Sequence, residues 1–374
     1  MAIPLLASYS TRMEARFGAT APYTVGIEEE FQLIDPGTRE LMPAVEAVLA
    51  AGNGTGLVTS ELSQSCVEML SPVFGSVAEL ARELPELRRE VAGLAKRGGA
   101  ALASAGTHPF SDPTGQPLNE SQHHLAVEKE MGWVARTQAI YGLHVHVAVP
   151  DGDSAIRAMG ALSRYVPLLN ALSSNSPFWR GEDTRLASTR IKIFEIFPRS
   201  GLPPAFRDWA DFERHVDTLV SSGSIPDYSW CWWDVRPHQK FGTIEVRALD
   251  AQTDAAYTAS LAALIQCLVA TADDHPTEDP LLTAENKWRA ARFGMDATFY
   301  DFSNKREITA RDLARTLVTQ LRPTAQSLGC EAELLGVEAI LKRGTGAELQ
   351  RAAFESGGAL KSVVDYLVRD TAPA

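Results

Sequence analysis

Three adjacent carboxylates, Glu28, Glu29 and Glu30, stand inside the apolar and β-branched run VGIEEEFQLID. Like charges this close repel, and each loses hydration on burial, so the cluster costs stability unless cations sit among them. Side chains alternate across a strand, which puts Glu28, Glu30 and Gln32 on one face and Ile27, Glu29, Phe31 and Leu33 on the other. The same alternation groups His144 with His146 in GLHVHVAV and Thr243 with Glu245 and Arg247 in GTIEVRAL. In SQSCVEML it groups Gln64, Cys66 and Glu68. Each run thus has an apolar face for a core and a face of functional groups. The functional faces can meet in one concave surface holding Glu28, Glu30, Glu68, Glu245, His144, His146 and Arg247. Alternating charge on a single strand usually marks only a solvated face. Four such runs, poor in lysine and rich in carboxylate and imidazole, ask for more than that. Glu29 fits neither face and is expected at a strand end or behind the ligands.

Carboxylate oxygens with one or two imidazoles suit a hard cation, Mg²⁺ or Mn²⁺, better than zinc. Several carboxylates suggest more than one ion, and paired ions beside an arginine are apparatus for phosphoryl transfer. The chain has no GxxxxGK[ST] loop, and GNGTG at residues 52–56 lacks the spacing of a nucleotide-binding glycine loop and reads as a turn. Any nucleotide would be held through its metal ions and arginines. The HVH of His144 and His146 leaves a second reading open, a metal-dependent amide hydrolase with both imidazoles on zinc. That reading needs further His or Asp ligands at later strand ends. Cys66, among acidic groups, is expected to be a structural thiol.

Basic groups concentrate in RGEDTRLASTRIKIFEIFPRSG, with Arg180, Arg185, Arg190, Lys192 and Arg199. In an acidic protein such a cluster invites a role in holding a carboxylate or phosphate. Ordinary surface ion pairing is an equal reading for any one of them. In AENKWRAARFG, Asn286, Arg289 and Arg292 share a helix face, and they line an anion site or fasten the helix to its neighbours.

The elements that must position these groups follow from periodicity. Leu80, Leu84, Leu87, Val91 and Leu94 have helical spacing over residues 77–94. Further helices are expected at 122–137, after an Asp153 cap and with an internal Pro167, and near 208–220. ALASAGTHPF, IYGLHVHVAVP, SWCWWDVRP and FGTIEVRALD read as strands, the last two joined through HQK. Residues 175–204 read as irregular, and the last hundred residues as helical without strands. This is an α+β pattern, a mainly antiparallel sheet with helices on one face. No boundary divides it convincingly, DDHPTEDP near residue 275 being the best candidate. The expectation is a single catalytic domain over 1–374, with an arm at 1–20 and a helical C-terminal part at 300–374.

The 374 residues carry a formal net charge of −12, which argues against nucleic acid or an anionic membrane as partner. No signal peptide or membrane-spanning run is visible. Four cysteines lie far apart without a CxxC pair, so a reducing cytoplasm is the simplest setting.

The ordered set GIEEEFQLID, SELSQSCVEMLSPV, AGTHPF, GLHVHVAVPDGD, RIKIFEIFPRSGLP, WWDVRPHQKFGTIEVRALDAQ and ENKWRAARFG resembles the ATP-dependent carboxylate–amine ligases of the glutamate–cysteine ligase type 2 group. The resemblance covers most of the chain from Tyr23 to about residue 300. It implies a sheet funnel of the glutamine synthetase and guanido kinase kind, with ATP and Mg²⁺ (or Mn²⁺) at an acidic floor. Carried over, Glu28, Glu30, Glu68, His144 and Glu245 would hold or support the metal ions, and Arg247 with Arg190 would face the phosphoryl group. Glu61, His146, Arg185, Arg199, Asn286, Arg289 and Arg292 are further candidates for binding nucleotide or substrate. The implied reaction joins a small carboxylic acid, glutamate being the candidate, to an amine through an acyl phosphate. The resemblance also implies a homodimer.

Overall fold

The computed structural model describes residues 15–373 except 53 and 303; most of the expected N-terminal arm lies outside this range. A seven-stranded sheet organises the molecule. It contains β1 (Val25–Ile34), β2 (Val58–Ser60), β3 (Cys66–Leu70), β4 (Ala101–Ala103) and β5 (Gly142–Ala148). Two short strands, β6 (Phe178–Trp179) and β7 (Glu182–Asp183), form a separate pair before β8 (Val235–His238) and β9 (Thr243–Asp250) complete the sheet. The order is β2-β3-β1-β5-β9-β8, with β4 pairing the end of β1, and every ladder is antiparallel.

Helices surround this sheet: α1 (Val45–Ala51), α2 (Val77–Arg97), α3 (Gln122–Met131), α4 (Trp133–Arg136), α5 (Gly152–Ser173), α6 (Thr189–Phe194) and α7 (Trp209–Ser221). The C-terminal third adds α8 (Ala255–Ala270), α9 (Pro280–Phe293), α10 (Ala310–Leu328), α11 (Glu331–Leu335), α12 (Val337–Arg343), α13 (Gly346–Gly357) and α14 (Leu360–Thr371). The apolar sheet face (Val25, Ile27, Phe31, Leu33, Val145, Val147, Ile244 and Val246) joins Leu80, Leu84, Val91 and Leu94 of α2 and the apolar residues of α5 and α8 in one core. Ser76 caps α2 by accepting the Glu79 N–H, as an N-cap serine should.

Glu29 is neither at a strand end nor behind the ligands. Its side chain follows the apolar face and is fully buried, where Arg88 of α2 grips it through Nη2–Oε1 at 2.5 Å and Nε–Oε2 at 2.9 Å. Arg88 also donates to the carbonyls of Gln252, Thr253 and Thr371, and Thr258 Oγ1 lies 2.7 Å from Glu29 Oε1. A buried carboxylate is tolerable only with such complete pairing. The three adjacent glutamates are therefore two problems, with a protein cation solving one on the far side of the sheet.

Local expectations are corrected at several points. Asp151, not Asp153, caps α5, its Oδ1 accepting the Ser154 N–H at 2.6 Å, while Asp153 accepts the Trp209 N–H. Gly132, at φ 56°, splits the helix expected at 122–137 into α3 and α4. The segment read as irregular contains α6, begun by Ser188. A hairpin of β10 (Thr298–Asp301) and β11 (Arg306–Thr309) interrupts the C-terminal stretch expected to be all helical.

Candidate active site

Strand register assembles the polar groups. Across the ladders Glu30 faces Glu68, Glu28 faces His144, and His146 and Arg236 both face Glu245. Glu28 bridges the two imidazoles, with Oε2 2.9 Å from His144 Nδ1 and Oε1 3.4 Å from His146 Nε2. Glu245 is buried between two guanidiniums: Arg236 binds Oε2 through Nε at 2.9 Å and Nη2 at 2.8 Å, and Arg247 Nη1 lies 3.1 Å from Oε1. Glu30 Oε2 accepts the Gly142 N–H at 2.5 Å. The absence of a side chain on Gly142 leaves room for Arg190, because a Cβ there would stand 2.3 Å from Arg190 Nη2.

Charge divides the floor in two. Burial would raise Glu28, but His146 and His144 outweigh it and hold the carboxyl well below its usual range. Burial opposes ionisation of Glu245 as well, and Arg236 and Arg247 overcome it. At the other end burial wins, Arg247 offsetting it only in part. It combines with Glu30 to push Glu61 up to about 7, and with Glu28, Glu61 and Glu30 to hold Glu68 well above its ordinary value. Burial and the carboxylates of Glu30, Glu61 and Glu68 push the Cys66 thiol well up, which disfavours the thiolate that a nucleophile needs.

Three overlapping groups can each present ligand atoms within 4.8 Å of one another: Glu28, His146 and Glu245; Glu28, Glu68 and His144; and Glu30, Glu61 and Glu68. Each offers at least two carboxylates and at most one imidazole, a donor set for Mg²⁺ or Mn²⁺. The Nε2 atoms of His144 and His146 are buried without a hydrogen-bond partner among the described residues. So are Nε of Arg190 and Nε of Arg247. Buried donors and acceptors are normally paired, so these four atoms and the partly compensated carboxylates together fit a site for cations and a polyanion.

A cavity of about 150 Å³ opens beside Glu30, Glu61, Arg190 and Arg247, with Phe194, Phe197, Trp232, His123, His124 and Gln138 among its other walls. Arg190 and Arg247 both lie over the Phe194 ring, each 5.7 Å from its centroid. Arg199 stands behind this wall, donating to the Trp230 carbonyl and lying over Trp232.

Four further sequence candidates belong neither to the ligand groups of the floor nor to the lining of this cavity. Asn286 exchanges hydrogen bonds with the backbone of Tyr300, at 2.8 and 2.9 Å, and Arg289 donates to the Thr298 carbonyl, so both fasten α9 to the β10–β11 hairpin. Arg292 donates to the Arg185 carbonyl, and these two arginines line a separate cleft. Sequence reasoning missed Arg236, whose place two residues after Asp234 in the WWDVRP strand was the available signal. It also missed Trp232, His123, His124 and Gln138, whose approach to the site depends on loop paths.

A family model described as glutamate-cysteine ligase family 2 matches residues 24–366. A protein of Rubrobacter xylanophilus named "Putative glutamate--cysteine ligase 2-3" is 61% identical over 363 residues, covering 96% of this chain and all of the relative. A similarly named protein of Herpetosiphon aurantiacus is 38% identical, covering 94% of this chain and 93% of the relative. Among solved structures, a glutamate–cysteine ligase of Francisella tularensis in complex with AMP superposes with a TM-score of 0.69 at 15% identity, covering 95% of this chain and 90% of that one. A bifunctional glutathione synthetase of Pasteurella multocida gives 0.66 at 15% identity, with 94% and 52% covered. At such identities these structures establish the shared fold.

Proposed function

The chain belongs to glutamate–cysteine ligase family 2, a family of ATP-dependent carbon–nitrogen ligases, and on that premise we propose that it joins a small carboxylic acid to an amine through an acyl phosphate. The observation that carries this reading is the pairing of an over-acidic floor with two arginines whose buried Nε atoms have no hydrogen-bond partner among the described residues. Glu28, Glu30, Glu68, Glu245 and His144 would hold divalent cations, with Glu61 and His146 completing the outer groups. Bound there, Mg²⁺ would neutralise nucleotide phosphates and the charge of the transferring phosphoryl group.

The chain's own groups do the rest. Arg247 and Arg190 meet the anionic oxygens that develop as a substrate carboxylate takes the phosphoryl group, and their fixed positions avoid reorganisation at that moment. Phosphorylation turns a carboxylate oxygen into a leaving group, so that an amine can displace it. The small cavity with aromatic walls keeps water from the activated acid and holds the amine in reach.

The hydrolase reading built on His144 and His146 draws less support. No candidate ligand group among the described residues contains both imidazoles, and catalytic zinc sites favour several imidazoles.

The reading is tested by ADP release with Mg²⁺ across panels of acids and amines, L-glutamate and L-cysteine first. Release must depend on both partners, and ¹⁸O in the acid's carboxylate must appear in the phosphate. Amide hydrolysis without nucleotide would overturn it.

A further inference from the structure

Asp250, at the end of β9, takes no part in the site as described, yet it is buried with three hydrogen bonds aimed at it. Its Oδ2 accepts from Ser176 Oγ at 2.6 Å and from the Asn175 N–H at 2.8 Å; its Oδ1 accepts from Ser188 Oγ at 2.8 Å. Both serines meet the start of α6. Ser188 is its N-cap, and Ser176 Oγ accepts the Arg190 N–H at 3.1 Å. Space is also cleared for the carboxylate, since a Cβ on Gly106 would stand 2.7 Å from Asp250 Cγ.

The arrangement bears on Arg190. Its guanidinium is buried, its Nη2 donates only to the Arg247 carbonyl at 3.3 Å, and its Nε has no partner among the described residues. Glu30 and Asp250 are the opposite charges that act on it most strongly, with Asp234 weaker, and among the described residues it forms a side-chain hydrogen bond with none of them. A carboxylate in direct contact would occupy the guanidinium; one held back by hydroxyls and a backbone amide offsets its charge and leaves its N–H groups for an anion.

We propose that Asp250 is the positioning residue for Arg190, fixing the first turn of α6 through Ser176 and Ser188 while supplying the arginine's counter-charge from a distance. The role rests on the ligase reading for its kinetic consequence and on geometry alone for its structural one. Asp250→Asn keeps the shape but removes the charge and one acceptor site.

The test is a double-mutant cycle of Asp250→Asn with Arg190→Met, reading kcat per folded enzyme and KM for MgATP. Removal of such supporting groups typically costs about 10–100-fold. The expected result is a loss in kcat of that size for the single Asp250 variant, KM for MgATP within about threefold, and almost no further loss in the Arg190→Met background. Additive losses, or unchanged kcat with only a lower Tm, overturn the proposal. Should Asp250→Asn not fold, the Ser176→Ala/Ser188→Ala double variant must show the same dependence on Arg190, and its absence is equally fatal. A crystal structure of the variant that folds supplies a readout independent of turnover. Arg190 must be displaced from its place over Gly142; an unmoved Arg190 contradicts the positioning role. Lack of wild-type turnover on every acid–amine pair would instead sink the ligase reading.

Discussion

Glu30 and Glu68 stand directly opposite each other on β1 and β3, with Glu61 within 4.8 Å of both. Like charges so placed destabilise a sheet, and no guanidinium or ammonium forms a hydrogen bond with any of the three among the described residues. Three carboxylates packed together without such a partner fit a site that takes up protons or cations.

The first consequence is a dependence on pH. Glu61 is raised in the folded state to about 7, and Glu68 is held well above its ordinary range. The native protein therefore holds protons that the unfolded chain releases near its ordinary carboxylate pKa. These two groups contribute full stability below that value and lose it as pH rises, for Glu61 through about 7. Glu28 and Glu245, held low by their cations, titrate below this window. A divalent cation replaces the missing protons, so its stabilising effect grows with pH. The Mg²⁺-induced rise in Tm should be larger at about pH 8 than at about pH 6. Equal rises at both would contradict the account.

Glu28 touches both imidazoles and belongs to two of the three ligand groups. Glu28→Gln preserves its shape and removes its charge. ADP formation should fall by at least ~100-fold with little change in Tm. Near-normal turnover would remove Glu28 from the metal floor.

Gly142 offers a mild way to move one arginine. A Cβ there collides with the flexible end of Arg190 rather than with backbone, so Gly142→Ala should fold. It should reduce kcat by roughly 10–100-fold and leave nucleotide affinity largely unchanged. Equal losses in kcat and nucleotide binding would show that Arg190 acts on the ground state.

The Glu29–Arg88 pair is structural, and its removal should be visible in stability rather than chemistry. Arg88→Met leaves a buried carboxylate unpaired and should cost about 3–5 kcal/mol. Replacing both partners with apolar residues should cost less than that single change. Chemical denaturation of the variants reads this directly.

The floor was legible because alternation in a strand is a local rule. Glu28, Glu30, Glu68, His144 and Glu245 followed from spacing alone, and the antiparallel sheet brought them together. Glu29 was not legible, since its cation comes from Arg88, 59 positions away on α2. Asn286, Arg289 and Arg292 were correctly placed on a helix, but sequence could not choose between an anion and neighbouring backbone, that of the hairpin for the first two and of Arg185 for the third, as their partner. That hairpin itself carried signals in TFYDFSNKREIT, aromatic and β-branched residues around a polar turn, masked by the helical periodicity on both sides. The tight packing around Arg190 and Asp250 depends on Gly142 and Gly106 respectively, and close approach leaves no trace in a pattern of polarity.

The central claim is that the acidic floor exists to hold divalent cations that escort a nucleotide's phosphates. A crystal structure with Mn²⁺ and a non-hydrolysable ATP analogue, with the ions located by anomalous scattering, tests it most directly. The account predicts ions at bonding distance from carboxylate oxygens of Glu28, Glu30, Glu68 or Glu245, bridging to the phosphates, with Arg247 and Arg190 facing the terminal one. Analogue phosphates bound elsewhere, with no ion against these carboxylates, would contradict it.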